Sequence, residues 1–202
     1  MATPIDFYFD FSSPYGYFAS TKIDALAAKY GRVATWRPFL LGVAMKITGG
    51  APLPSLPLKG DYAKRDFARS AKYYGVEYRL PSVFPIASQA PTRAFYWLNQ
   101  TDPGQAKSLA AALYRAYFVD DVNISNPEDT IAVCARFGLA PEAVRAAINA
   151  AAIKDLVKTE VDQAIARGAF GSPYMVVDGE AFWGADRLDQ LEKWLASGGW
   201  KY

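Results

Sequence analysis

An α/β fold in which two strand-bearing halves are held apart by a helical block is what the sequence predicts. The stretch Ile5-Asp6-Phe7-Tyr8-Phe9-Asp10-Phe11 is β-branched and aromatic, the composition of a strand buried on at least one face. Towards the other end, residues 174–177 and 180–183 flank Asp178-Gly179, a pair suited to the type I′ turn of a hairpin. Between these halves, apolar residues recur at helical spacing and strand signals are nearly absent. A strand–helix–strand half and a hairpin–helix half, interrupted by helices, make the thioredoxin plan with an insertion. Residues 1–60 and 168–202 are therefore expected to form a thioredoxin-like domain, and residues 61–167 an inserted all-helical domain.

Each element has a local reason. After the first strand, Ser12-Ser13-Pro14 offers cap hydroxyls and then a proline suited to the first helical turn; Tyr17, Phe18, Ile23, Leu26 and Ala27 continue at helical spacing as far as Gly31. Residues 33–41 read as a second strand, and the segment 49–60, with Pro52, Pro54 and Pro57, as a loop. Helices are predicted over 61–74, 90–99 and 105–119, the last with Leu109, Leu113 and Tyr117 on one stripe. Asn126-Pro127-Glu128-Asp129 supplies an N-cap, a first-turn proline and two acids, and shorter helices follow at 141–150 and 153–167. A last helix over 187–195 closes the chain after the hairpin.

Composition removes whole classes of chemistry. With 51% hydrophobic and 21% charged residues over 202 positions, the chain has the make-up of one folded globular unit. The net charge of +2 is spread among interspersed acids and bases, so no basic stripe invites nucleic acid or an anionic membrane surface. There is no histidine, which excludes a Ser-His-Asp triad, a Cys-His pair and a His-ligated metal site. The single cysteine, Cys134, excludes an internal disulfide and a CxxC pair; it sits in an apolar helical run and reads as packing. No uninterrupted apolar stretch reaches the roughly 18 residues of a membrane span, and residues 1–10 lack a basic region leading into an apolar one, so a cytoplasmic location is expected.

Two segments can still carry chemistry. At Ser12-Ser13-Pro14-Tyr15-Gly16 the chain passes from a buried strand into a helix, whose free N–H groups and dipole favour an anion. A serine hydroxyl there either donates to a bound thiolate or simply caps the helix. In thioredoxin-type folds a proline entering the third strand faces this turn, and Phe170-Gly171-Ser172-Pro173 stands in that place. A cis Ser172–Pro173 bond would present the Ser172 backbone to a ligand, and a trans bond would make it an ordinary strand entry. Arg93, Tyr96 and Trp97 lie on one predicted helix, as walls for a planar substrate or as core.

Four motifs in order, Phe9-Asp10-Phe11-Ser12-Ser13-Pro14-Tyr15, the segment around Met45-Lys46, Phe170-Gly171-Ser172-Pro173, and Phe182-Trp183-Gly184-Ala185-Asp186-Arg187-Leu188, resemble the 2-hydroxychromene-2-carboxylate isomerases. These are grouped with the kappa-class glutathione transferases and the DsbA-like thiol oxidoreductases. The resemblance covers nearly the whole chain and implies a thioredoxin fold with a helical insertion, glutathione as cofactor, and a homodimer. By resemblance, Ser13 is the active-site serine, standing where the oxidoreductases carry the first cysteine of their redox pair. Ser172 and Pro173 match the segment that meets the cysteinyl part of glutathione, and Trp183, Gly184, Ala185 and Asp186 match the segment that holds its γ-glutamyl end. Asp186 would then take the ammonium group, and it also suits the N-cap of the final helix.

Lys46 matches a family lysine close to the substrate, where a cation neutralises a carboxylate; on its own it reads as a solvated surface charge. Gly50 stands where relatives often carry asparagine, and Phe84-Pro85 is followed by Ile86, Ala87 and Ser88 in place of polar or aromatic residues. The implied activity is reversible thiolate addition to an aryl-substituted unsaturated 2-oxo acid, interconverting 2-hydroxychromene-2-carboxylate and trans-o-hydroxybenzylidenepyruvate in aromatic compound breakdown. The alternatives are a kappa-like transferase that releases the glutathione adduct and a non-catalytic thioredoxin-like binding module.

Overall fold

The structure is a computed structural model that describes residues 3–200, so the ends of the predicted thioredoxin-like domain, residues 1–2 and 201–202, lie outside the described residues. Strand β1 (Ile5–Phe9) is followed by α1 (Pro14–Lys29) and by β2 (Ala34–Pro38), which pairs with β1 in parallel. A parallel pair requires a crossover, and α1 supplies it. A run of helices separates this half from the hairpin, beginning with α2 (Leu41–Thr48), α3 (Lys59–Tyr74), α4 (Gln89–Asn99), α5 (Pro103–Phe118), α6 (Pro127–Arg136) and α7 (Pro141–Asn149). They are joined by α8 (Ala151–Ala166), after which β3 (Tyr174–Val177), β4 (Glu180–Trp183) and α9 (Leu188–Ser197) complete the order. Among the described residues the strands form one sheet in the order β2-β1-β3-β4, with β1 antiparallel to β3 and β3 antiparallel to β4.

The thioredoxin-like α/β plan is the one expected, and its local signals are present in the structure. Asp178 and Gly179 have φ of +52° and +84°, the two left-handed positions that a type I′ turn requires. Asn126 caps α6 through a 3.0 Å bond from the Glu128 N–H. Two differences have physical causes. The first strand ends at Phe9 because Asp10 opens a turn: its carbonyl accepts from the Ser13 N–H at 2.9 Å and its side chain from the Ser12 N–H at 2.7 Å. The second strand ends at Pro38, where the expectation ran it to residue 41, since the Leu41 N–H is taken by the Asp10 carboxyl at 2.7 Å and α2 begins there. That helix is capped by Asp10, from the turn that follows β1, and ends at Gly49 in the left-handed conformation.

The strand β1 is buried along both faces, and its aromatic residues continue into the helices. Phe9 meets Phe95 of α4 at 6.2 Å between ring centroids and Tyr114 of α5 at 5.6 Å; Phe11 meets Tyr114 at 5.1 Å. One continuous core results, and it fixes α4 and α5 against the end of β1. Arg93, Tyr96 and Trp97 belong to this packing: the Tyr96 hydroxyl donates to the Pro38 carbonyl at 2.9 Å, and Arg93 donates to the Ile148 carbonyl at 3.4 Å. Cys134 is fully buried, and burial pushes its thiol up to about 12. Among the described residues no helix is long and apolar enough to cross a membrane.

The hairpin turn offers a direct check. Alanine at position 179 must adopt a left-handed backbone, at a cost of about 1–2 kcal/mol. Gly179→Ala is therefore expected to lower stability by that amount in chemical denaturation, and an unchanged midpoint would contradict the turn geometry.

Candidate active site

The turn from β1 into α1 is where distant segments converge. Ser13 is the N-cap of α1, accepting from the Gly16 N–H at 3.0 Å, and its hydroxyl proton goes to the Ser172 carbonyl at 2.9 Å. Ser13 therefore caps the helix, and its hydroxyl also reaches across to the entry of β3. The Ser172–Pro173 bond is cis. Ser172 in turn accepts, through Oγ, from the Asp10 N–H at 2.9 Å, and the buried Tyr114 hydroxyl donates to the Asp10 carbonyl at 2.9 Å. Burial and the nearby Asp10 keep the Tyr114 phenol well above its ordinary range, so it remains a neutral donor. Burial also pushes the Asp10 carboxyl above the usual carboxylate range, against the pull of the Ser12 and Leu41 N–H groups.

These groups open onto a cavity of about 830 Å³. On one side its wall is Leu41, Gly42, Met45 and Thr48, a single face of α2, followed by the proline-rich residues 50–54. Ser12 accepts from the Ile86 N–H at 3.0 Å, which holds the segment Phe84-Pro85-Ile86 against the same space. Opposite lie Phe170, Gly171 and Ser172 with Trp183, Gly184, Ala185 and Asp186. These two stretches fit together closely: the Gly184 N–H donates to the Pro173 carbonyl at 3.0 Å, and the Trp183 indole occupies the space that a side chain on Gly171 would need. The helix α3 closes the cavity with Tyr62, Asp66, Phe67, Ser70 and Tyr74. Tyr15 donates to Asp66; burial raises the Tyr15 phenol and the carboxylate partner raises it further. Burial acts to raise Asp66 as well, but the bonds from Tyr15 and Arg69 hold it below the ordinary carboxylate range.

Of the residues singled out from the sequence, Ser13, Ser172, Trp183, Gly184, Ala185 and Asp186 share the wall of this one cavity. Pro173 is buried directly behind Ser172 and does not reach the wall. Lys46 is exposed on the flank of α2, next to the wall residue Met45 but outside the wall itself. The N-cap reading of Asp186 is not met. A short 3-10 turn, Ala185–Arg187, precedes α9, Arg187 takes the cap position, and the Asp186 carboxylate pairs with Arg187 at 2.9 Å. Its side chain is 73% exposed and open to a ligand. Asp10, Asp66 and Phe67 are wall residues that sequence reasoning did not single out. Asp10 lies within the quoted first motif, and a buried acid at a strand end is a readable signal; Asp66 and Phe67, on an amphipathic helix some fifty positions away, carry none.

Comparison with known proteins follows the same lines. Residues 4–196 match the DSBA-like thioredoxin domain family. A 2-hydroxychromene-2-carboxylate isomerase of Sphingobium xenophagum is 33% identical over 198 residues, covering 96% of this chain and 99% of its own. The chain belongs to the 2-hydroxychromene-2-carboxylate isomerase family of DSBA-like thioredoxin domains. A solved structure of an isomerase of that name superposes with a TM-score of 0.85 at 29% identity, covering 96% of this chain and 94% of that one. Kappa-class enzymes are more distant relatives: glutathione S-transferase kappa 2 of Caenorhabditis elegans is 26% identical over 206 residues, with 95% of this chain and 91% of its own covered.

The convergence of Ser13, Ser172 and Tyr114 depends on a small residue at position 16. A Cβ on Gly16 would lie 2.7 Å from the Ser172 hydroxyl and 2.8 Å from the Tyr114 hydroxyl, both of them buried and engaged with Asp10. Gly16→Ala is expected to cost about 1–3 kcal/mol, the usual penalty for overpacking, measured as a lowered denaturation midpoint. Full stability in this variant would show that the two hydroxyls are not locked in place.

Proposed function

We propose that the chain is a glutathione-dependent cis–trans isomerase that interconverts 2-hydroxychromene-2-carboxylate and trans-o-hydroxybenzylidenepyruvate, or a related aryl unsaturated 2-oxo acid, as a cytoplasmic homodimer in aromatic compound breakdown. The observation that carries the reading is the bond from Ser13 to the Ser172 carbonyl, at a helix N-terminus and beside a roomy cavity. The names of the isomerase relatives support the reaction type, and the kappa relatives support glutathione.

The residues present fit such a tripeptide. Asp186, paired with a solvent-exposed arginine, suits an ammonium group, and Asp66 adds a second carboxylate to the same cavity. The Ser172 carbonyl suits a peptide N–H, and Ser13 suits a sulfur anion. Bound there, glutathione supplies a sulfur nucleophile that adds to the conjugated carbon and later leaves, so that the double bond is single, and free to rotate, in between. The protein's part is to keep the sulfur ionised. Moving a thiol from about 8.5 to about 6.5 requires about 2.7 kcal/mol of preferential stabilisation. One hydroxyl bond to an anion contributes about 1.5–3 kcal/mol, and the N-terminus of α1 about 0.3–1 more.

Ser13 has a single proton to give. A peptide N–H arriving at the Ser172 carbonyl would take over the acceptor that Ser13 now serves, leaving the hydroxyl free to turn to the sulfur while Gly16 still holds its oxygen. Recognition of the backbone and activation of the sulfur are thereby coupled through one side chain. Lys46, at the outer edge of α2, is placed in this reading to meet a substrate carboxylate at the cavity mouth.

The test is isomerisation of trans-o-hydroxybenzylidenepyruvate followed spectrophotometrically. Turnover should require glutathione, and Ser13→Ala should lower it roughly tenfold to a thousandfold. The same substitution removes a helix cap worth about 1 kcal/mol, so Asp102→Ala, which removes the equivalent cap of α5, is the control and should keep the rate. Full turnover without glutathione, or an undiminished rate in Ser13→Ala, would overturn the proposal. A product heavier by one glutathione would assign the transferase outcome instead.

A further inference from the structure

A second cavity, of about 220 Å³, opens where α8 meets the sheet, and it shares no wall residue with the cavity beside Ser13. At about 30 Å³ per water it has room for about seven waters, the size of a small organic acid. Its walls are Tyr8 of β1, Arg37 of β2, and Gln163, Ala166 and Arg167 from the end of α8. Tyr8 and Arg37 are partners in the parallel register of the two strands, so they stand side by side on one face of the sheet. Glu160, Gln163 and Arg167 recur at helical spacing and bring one stripe of α8 over that pair.

The groups facing this space are donors in want of an acceptor. Only 4% of Tyr8 is exposed, yet its hydroxyl has no hydrogen-bond partner among the described residues. Burial raises the Tyr8 phenol and Asp6 raises it further, while Arg37 and Arg167 pull the other way; the hydroxyl keeps its proton and lies within the field of both guanidinium groups. Arg37 donates through Nε to Asp6 at 2.8 Å and through Nη1 to Glu160 at 3.5 Å, which leaves its Nη2 unengaged among the described residues. Glu160 also accepts from the Tyr96 hydroxyl at 3.4 Å, and neither acid lines the cavity. Arg167 is exposed and has no ion-pair partner among the described residues. We infer that this cavity is a binding site for a small monocarboxylate, whose oxygens accept from Tyr8, Arg37 and Arg167. Charge limits the ligand to a single negative charge. Arg37 already faces two acids, so the cation left over is Arg167, and the C-terminal end of α8, which Arg167 caps, adds about half a negative charge of its own. A carboxylate meets that one free cation, whereas the second charge of a phosphate dianion meets none.

Nuclear magnetic resonance on the full, nitrogen-labelled chain tests it, with propionate added against chloride at constant ionic strength. Propionate should move the side-chain N–H signals of Arg37 and Arg167 along a saturable curve, and inorganic phosphate, as the dianion, should bind more weakly. Arg167→Gln, at an exposed position that the fold does not depend on, should weaken propionate about tenfold, and Tyr8→Phe, which keeps the ring, about fivefold. Arg136→Gln, which removes an exposed positive charge from α6, should leave the affinity unchanged. Shifts that never saturate, shifts confined to residues around Ser13, tighter binding of phosphate, or equal affinity in Arg167→Gln and the wild type would each overturn the inference. None of these readouts involves glutathione or turnover, so the site stands or falls apart from the isomerase reading.

Discussion

Ser13 carries one hydroxyl proton, and in the fold that proton is given to the carbonyl of Ser172, 159 positions further along the chain. The remainder of the structure can be understood as what holds these two residues at hydrogen-bonding distance. Asp10 lies at the centre of that support. Its N–H, carbonyl and carboxyl engage Ser172, the Ser13 N–H with Tyr114, and the N–H groups of Ser12 and Leu41. The entry to β3, the start of α1, the start of α2 and the helix α5 are therefore tied to one residue at the end of a buried strand. A satisfied polar network of this kind, enclosed by aromatic packing, is rigid because every alternative leaves a buried group unpaired.

That rigidity bears on chemistry. A thiolate is stabilised by groups that are already in place when it forms, since donors that must be reorganised recover little of their binding energy. The Ser13 hydroxyl oxygen is anchored by the Gly16 N–H, so in the proposed reading only its proton would have to change direction. The sequence has no histidine to activate a hydroxyl, and Cys134 is buried with its thiol raised, so in the proposed reading the nucleophile is brought by a small thiol.

Much of this was legible in the sequence, where the signal is local. Ser13-Pro14, Asn126-Pro127 and Asp178-Gly179 each specify a cap or turn through their own side chains and backbone preferences, and each is found where its residues place it. The helix α2 was not legible, because its first N–H is capped by Asp10 from another element and its only local marker is the terminal Gly49. With α2 unseen, helical phase could not be applied to Met45 and Lys46, of which the first lines the cavity and the second stands aside. The 3-10 turn Ala185–Arg187 moves the start of α9 one position on, from Arg187 to Leu188, so that Asp186 is not its cap and its carboxylate is left open. The contribution of Asp66 and Phe67 depends on how α3 folds back over the cavity, a tertiary fact with no counterpart in short-range spacing.

The central claim is that the Ser13 hydroxyl lowers the proton affinity of a bound thiol, and ultraviolet titration of the thiolate in the complex with glutathione measures it most directly. The account predicts that the bound thiol titrates about two pH units below the free value of about 8.5 in the wild type and returns most of the way to it in Ser13→Ala. A bound thiol that titrates at the same pH in both proteins would contradict it.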